Sequence, residues 1–175
     1  MHRVLFLVFV LSGLQFGESG HATEIRNFKA GLVCPDRESG RIGDGRVCFE
    51  TETVHVTGQG RCTYDGEDLP CTWHGYEFEY SGAEPGQKIS CIVKNSVAVN
   101  YGNPDGVAAT DAQTYDYELD LEKTEGRFFN PQYVLFTTVS PDAPQEIEET
   151  VCSSRGEELF RFRFLFLYPP SEVTR

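Results

Sequence analysis

The chain has 175 residues, with 15 Lys+Arg against 27 Asp+Glu and a formal net charge of −12, a length that fits one domain better than two. Hydrophobic residues make up 39% and aromatics 13% at a mean hydropathy of −0.35, which is too rich in core-forming side chains for intrinsic disorder. The carboxylate excess repels phosphates and anionic headgroups, so it argues against nucleic acid or a membrane surface as a charge-held partner and toward a basic protein or peptide.

The first element in chain order is an apolar leader. Arg3 precedes the run Val4 to Leu11, and small residues fill much of the stretch from Gly17 to Ala22. This is the pattern of a secretory signal peptide over residues 1–22, too short for a membrane span, with one mature domain expected over residues 23–175. Leu11-Ser12-Gly13-Leu14 lacks the cysteine of a bacterial lipoprotein signal, so no lipid anchor is expected. No Asn-x-Ser/Thr sequon is present, which favours a periplasmic or extracellular bacterial location over a glycosylated one.

All six cysteines lie beyond the leader, and an even count in an oxidising compartment implies a disulfide framework. Six cysteines allow fifteen pairings. The spacing favours Cys34 with Cys48, Cys62 with Cys71, and Cys91 with Cys152, the first two closing short, turn-rich segments.

The side-chain period is 2 wherever it can be read. Weak strand candidates lie near Ile25–Phe28 and Arg61–Tyr64, and stronger ones at Val47–Phe49, Thr53–Thr57, Tyr76–Tyr80, Lys88–Lys94, Val97–Tyr101, Tyr115–Leu121, Tyr133–Val139 and Phe160–Tyr168. Apolar parity flips between Phe49 and Val54, so a bulge or bend is expected in Glu50–Thr53. Gly102–Thr114 is the most loop-like span. These patterns predict an all-β fold of about eight or nine strands with little or no helix: a disulfide-stabilised antiparallel β-sandwich, with a closed β-barrel as the alternative.

Few residues suggest catalysis. Beyond the leader only His55 and His74 remain; His55 has the solvent parity of its strand. The nucleophile and zinc-protease motifs are absent from the sequence. Cys62, Cys71 and His74 could ligate zinc, but in an exported chain the two cysteines are expected to join each other. Asp65-Gly66-Glu67-Asp68 and the segment Asp105 to Asp111 gather oxygen ligands without the calcium-loop pattern, so no cofactor or metal is assigned. Trp73 is expected to pack against a disulfide rather than stack on a ligand.

Charge placement says more. Between Thr110 and Thr150 stand Asp111, Asp116, Glu118, Asp120, Glu122, Glu125, Asp142, Glu146, Glu148 and Glu149 against Lys123 and Arg127. Asp116, Glu118 and Asp120 share one face of a predicted strand, and they are the candidate partner-binding residues. The leading expectation is a secreted or periplasmic, non-enzymatic binding module that docks a basic partner, as an inhibitor would. A small carbohydrate-active hydrolase using paired carboxylates, or a structural envelope component, is the alternative.

Overall fold

The computed structural model describes residues 23–103, 106–136 and 145–169. The expected signal peptide and the end of the Tyr133–Val139 candidate lie outside the described residues. Ten strands occur in chain order: β1 (Glu24–Cys34), β2 (Arg46–Glu50), β3 (Thr53–His55), β4 (Gly60–Tyr64), β5 (Glu67–Ser81), β6 (Gln87–Asn103), β7 (Gly106–Leu121), β8 (Glu125–Leu135), β9 (Gln145–Ser154) and β10 (Glu157–Leu167). One short 3-10 turn, Ile42–Asp44, is the helical element among the described residues.

The strands form two open sheets, as a sandwich requires and a closed barrel does not. The first runs β2-β1-β5-β4, with β8 also paired to β5; the second runs β3-β10-β9-β6-β7. Because β1 and β8 both pair with residues 74–81 of β5, they occupy its opposite edges. β8 carries Pro131 opposite Gly75, which suits an outer strand with one unpaired side. The pairings are antiparallel except β3 with β10, which run parallel. These two are far apart in sequence, so their pairing needs no helical crossover.

Alternation decides what lies between the sheets. Phe160, Phe162, Phe164 and Phe166 of β10 are all buried, while Arg161 and Arg163 are exposed. From the facing sheet, Tyr76, Phe78 and Tyr80 of β5 meet them, with Tyr76 and Phe162 ring centroids 4.7 Å apart. Burying each large side chain is worth about 1.5–3 kcal/mol, and each aromatic pair adds about 0.5–1.5 kcal/mol. The expected break in Glu50–Thr53 is where the chain leaves the first sheet as β2 and enters the second as β3, so the parity flip marks a change of sheet.

Three disulfides pair as the spacing suggested: Cys34–Cys48, Cys62–Cys71 and Cys91–Cys152. The last joins residues directly opposite each other on β6 and β9, buried on the inner face. Cys62–Cys71 rules out the zinc alternative and anchors a smaller cluster with Leu135, against which Trp73 and Tyr133 pack.

One expectation is corrected: most of Gly102–Thr114 is strand rather than loop, since β6 continues to Asn103 and β7 begins at Gly106. The β6–β7 ladder here carries register shifts, the last between Tyr101 and Gly102, and the Asn100 side chain accepts the amide of Asp111, which has φ 50°. β9 is a strand that no sequence candidate covered.

Candidate functional site

β7 is the terminal strand of its sheet, so one row of its backbone groups has no strand partner among the described residues. Leu119 and Leu121 are buried and Tyr115 and Tyr117 half-buried beneath it, which turns Asp116, Glu118 and Asp120 outward, all three exposed. Two-residue steps space them about 6.8 Å apart. Glu118 ion-pairs with Lys88 of the neighbouring β6, which also lies across from Asp120 and interacts with its charge, leaving Asp116 the least compensated of the row. Beside Asp116 stands Ile92, 47% exposed, so the acidic row carries an apolar neighbour.

The rest of the acidic segment does not form one surface. Glu149 pairs with Arg161, which also holds Glu158 at 2.9 Å. Asp142 lies outside the described residues. Glu146 and Glu148 face inward: they pair in register with the buried Phe166 and Phe164 and share parity with Thr150 and Cys152. The acids between Thr110 and Thr150 are therefore not all surface charges. The physical reason is the Cys91–Cys152 bridge, which fixes the parity of β9 and carries its carboxylates inside with the cysteine.

The environment of this pair is polar, and among the described residues no ion pair reaches either carboxylate. Burial, and then the charge of Glu146, pushes Glu148 up to about 8. Burial also raises Glu146, against a hydrogen bond donated by the Tyr168 hydroxyl at 2.8 Å. The Tyr76 and Tyr117 hydroxyls lie 2.8 Å apart, and the Asn130 amide donates to Tyr76 at 2.9 Å. Burial raises both tyrosines, Tyr76 to about 12. His74 faces the same interior, edge-on to Phe164 and Phe166 with centroids 5.1 and 4.9 Å away, and burial lowers it to about 4. It is a neutral core imidazole, while His55 is exposed as its parity predicted.

Two surface hollows lie elsewhere among the described residues. One, of about 240 Å³, is lined by Asp36, Asp44, Gly45, Arg46, Glu77 and Arg127. Burial by itself raises Glu77, yet hydrogen bonds from Arg127 and the Val47 amide, with the charges of Arg127 and Lys29, bring it below the usual carboxylate range. Asp36 is lowered by amide hydrogen bonds from Ser39 and Glu38. Paired-carboxylate hydrolysis needs one carboxyl held protonated while the other stays ionised, and these two are both driven toward ionisation. The other, of about 560 Å³, runs past the Cys34–Cys48 bridge between Phe49, His55 and Trp73, and its lining has no carboxylate. Trp73 meets Tyr133 edge-on at 5.3 Å, as packing beside a disulfide would have it.

No protein-family profile and no curated protein matches this chain. Sequence reasoning missed the inward pair Glu146 and Glu148. The available signal was Cys152, whose partner Cys91 shares the inward parity of Ile89 and Val93.

Proposed function

We propose that the protein is an exported, non-catalytic binding module that docks a basic protein segment along β7. The observation that carries this is the outward row Asp116, Glu118 and Asp120 on a terminal strand whose outer edge has no strand partner among the described residues. An extended basic segment added at that edge would set Lys or Arg at alternate positions opposite the three acids, while main-chain hydrogen bonds supply sequence-independent attraction. The same negative row opposes pairing with a second copy of itself, so charge both protects the edge and selects the partner. Export is supported by the three disulfides, which persist in oxidising compartments, and by the apolar leader. Among the described residues no helix is long and apolar enough to cross a membrane.

The test uses a short peptide of alternating Lys and Thr. Binding is expected to weaken by at least about tenfold between low and high salt, as three close charge pairs become screened. Reversing Asp116, Glu118 and Asp120 together to Lys should abolish it. Affinity that survives this reversal, with its salt dependence unchanged, overturns the proposal.

A further inference from the structure

The inner face of β9 poses a problem of hydrogen-bond partners. Glu146 and Glu148 are acceptors when ionised, and neither has an ion-pair partner among the described residues. Asn95 lies directly across from Glu148 in the β6–β9 ladder, only 9% exposed, and its Oδ1 is buried without a hydrogen-bond partner. Two residues along from Glu148, the fully buried Thr150 leaves its Oγ1 unpartnered. From the facing sheet, Gln132 of β8 presents a buried, unpartnered Oε1. A directly opposed cross-strand pair such as Asn95 and Glu148 has Cβ atoms about 5 Å apart. This end of the interior therefore gathers oxygen acceptors from two sheets, together with an unpartnered Tyr101 hydroxyl and the unpartnered Nδ1 of His74, which lies across from Gln132 and packs edge-on to Phe164 and Phe166.

Buried polar groups without partners are rare, and each implies a missing donor or ion. We propose that this cluster is a binding site for a hard, calcium-class cation, with Glu146 and Glu148 supplying the charge and Asn95 Oδ1 and Gln132 Oε1 neutral carbonyl oxygens. Among the described residues no group of three His, Cys, Asp or Glu side chains stands together for a metal. The case rests instead on two acids flanked by orphaned carbonyl oxygens. The four ligands named are all oxygens, a hard set that favours calcium over zinc, and calcium accepts the irregular six to eight oxygens that two sheets, backbone and water can supply. Because carboxylates must shed protons to bind, affinity should fall as pH is lowered. This inference is independent of the acidic row on β7, which lies on the outer face.

The experiment takes the disulfide-intact chain stripped by chelator. Terbium is the spectroscopic probe, since Tyr76, Tyr101 and Tyr117 lie within electrostatic reach of Glu148 and can sensitise its emission. Sensitised emission that saturates and is competed away by calcium is expected, with a rise of about 5 °C in Tm at about 10 mM calcium. Glu148→Gln should weaken both by at least about tenfold in affinity, whereas Asp116→Asn should leave them unchanged. Should Glu148→Gln fail to fold, Asn95→Leu removes a neutral ligand without altering charge and should weaken terbium binding similarly. The proposal is overturned by the absence of both sensitised emission and a calcium-dependent Tm shift. It is also overturned if Asp116→Asn removes the binding, which would place the ion on the outer face.

Discussion

At the scale of single residues, alternation on β10 makes opposite forecasts for neighbours. Phe164 is fully buried and Phe162 nearly so, and an unpaired charge at either site costs several kcal/mol. Arg161 is exposed, and its ion pairs with Glu149 and Glu158 are each worth under about 1 kcal/mol. Phe162→Asp and Phe164→Asp should therefore yield no folded protein, and Arg161→Asp a folded one with a slightly lowered denaturation midpoint. Equal behaviour of the three in denaturant titration would mean that β10 is not half-buried. This much was legible in the sequence, because five aromatics at one parity leave a single inward face. The buried carboxylates were not. In Glu146-Ile147-Glu148-Glu149-Thr150-Val151-Cys152 the apolar Ile147 and Val151 have the outward parity, so hydrophobicity alone points the strand the wrong way.

Those carboxylates give stability a definite pH dependence. Glu148 moves from 4.5 to about 8 on folding, so through that interval the folded chain keeps a proton that the unfolded chain releases. Its contribution is complete below the unfolded value and is lost as pH rises through the folded one. His74 has the opposite sign: lowered from 6.5 to about 4, it costs stability as pH falls through that window. In chelator, raising pH from about 6.5 to about 9 should lower the denaturation midpoint, and Glu148→Gln should flatten that decline. A wild-type midpoint that is constant or rising across this range would place Glu148 in water.

At the scale of elements, the disulfides tie neighbouring strands and differ in leverage. Cys91–Cys152 spans a sequence separation of 61 and Cys62–Cys71 one of 9. Constraining the unfolded chain makes the long bridge worth about 4 kcal/mol and the short one under about 3 kcal/mol. The long bridge also sets which face of β9 is buried. The double replacement Cys91→Ala with Cys152→Ala should lower Tm more than Cys62→Ala with Cys71→Ala does, as differential scanning calorimetry would show. The reverse order would make the smaller cluster around Leu135 the dominant anchor.

Strand cores and their C-terminal ends were readable where one face is apolar and the other charged, as on β5, β7 and β10, whereas β5 and β7 begin at Glu67 and Gly106, well before the alternation becomes regular. They were obscured on β1, whose register with β5 shifts between Arg26 and Lys29 at Asn27, with φ 50°. Gly75 shows why one small residue interrupts β5: a Cβ there would stand 2.2 Å from the Asn130 carbonyl oxygen, and its φ is 155°. Local pattern marks such a glycine without revealing the strand that presses on it.

At the scale of the whole molecule, two sheets and three cross-strand bridges form a rigid frame whose second sheet ends in an acidic strand. Net charge −12 gives long-range attraction for a cation. The row on β7 gives that attraction a place, because elsewhere on the same outer face Arg161 offsets Glu149. The candidate row was legible from alternation alone, whereas its position at the end of the sheet was not, since strand order depends on pairings between residues far apart in sequence.

Amide hydrogen exchange of the chain with and without the alternating Lys/Thr peptide tests the docking claim most directly. Strand addition predicts slowed exchange at alternate amides within Gly106–Leu121, those facing away from β6, with little change in β1, β2 or β4. Binding that slows exchange in another strand, or that leaves β7 as fast as in the free protein, would contradict docking at this edge.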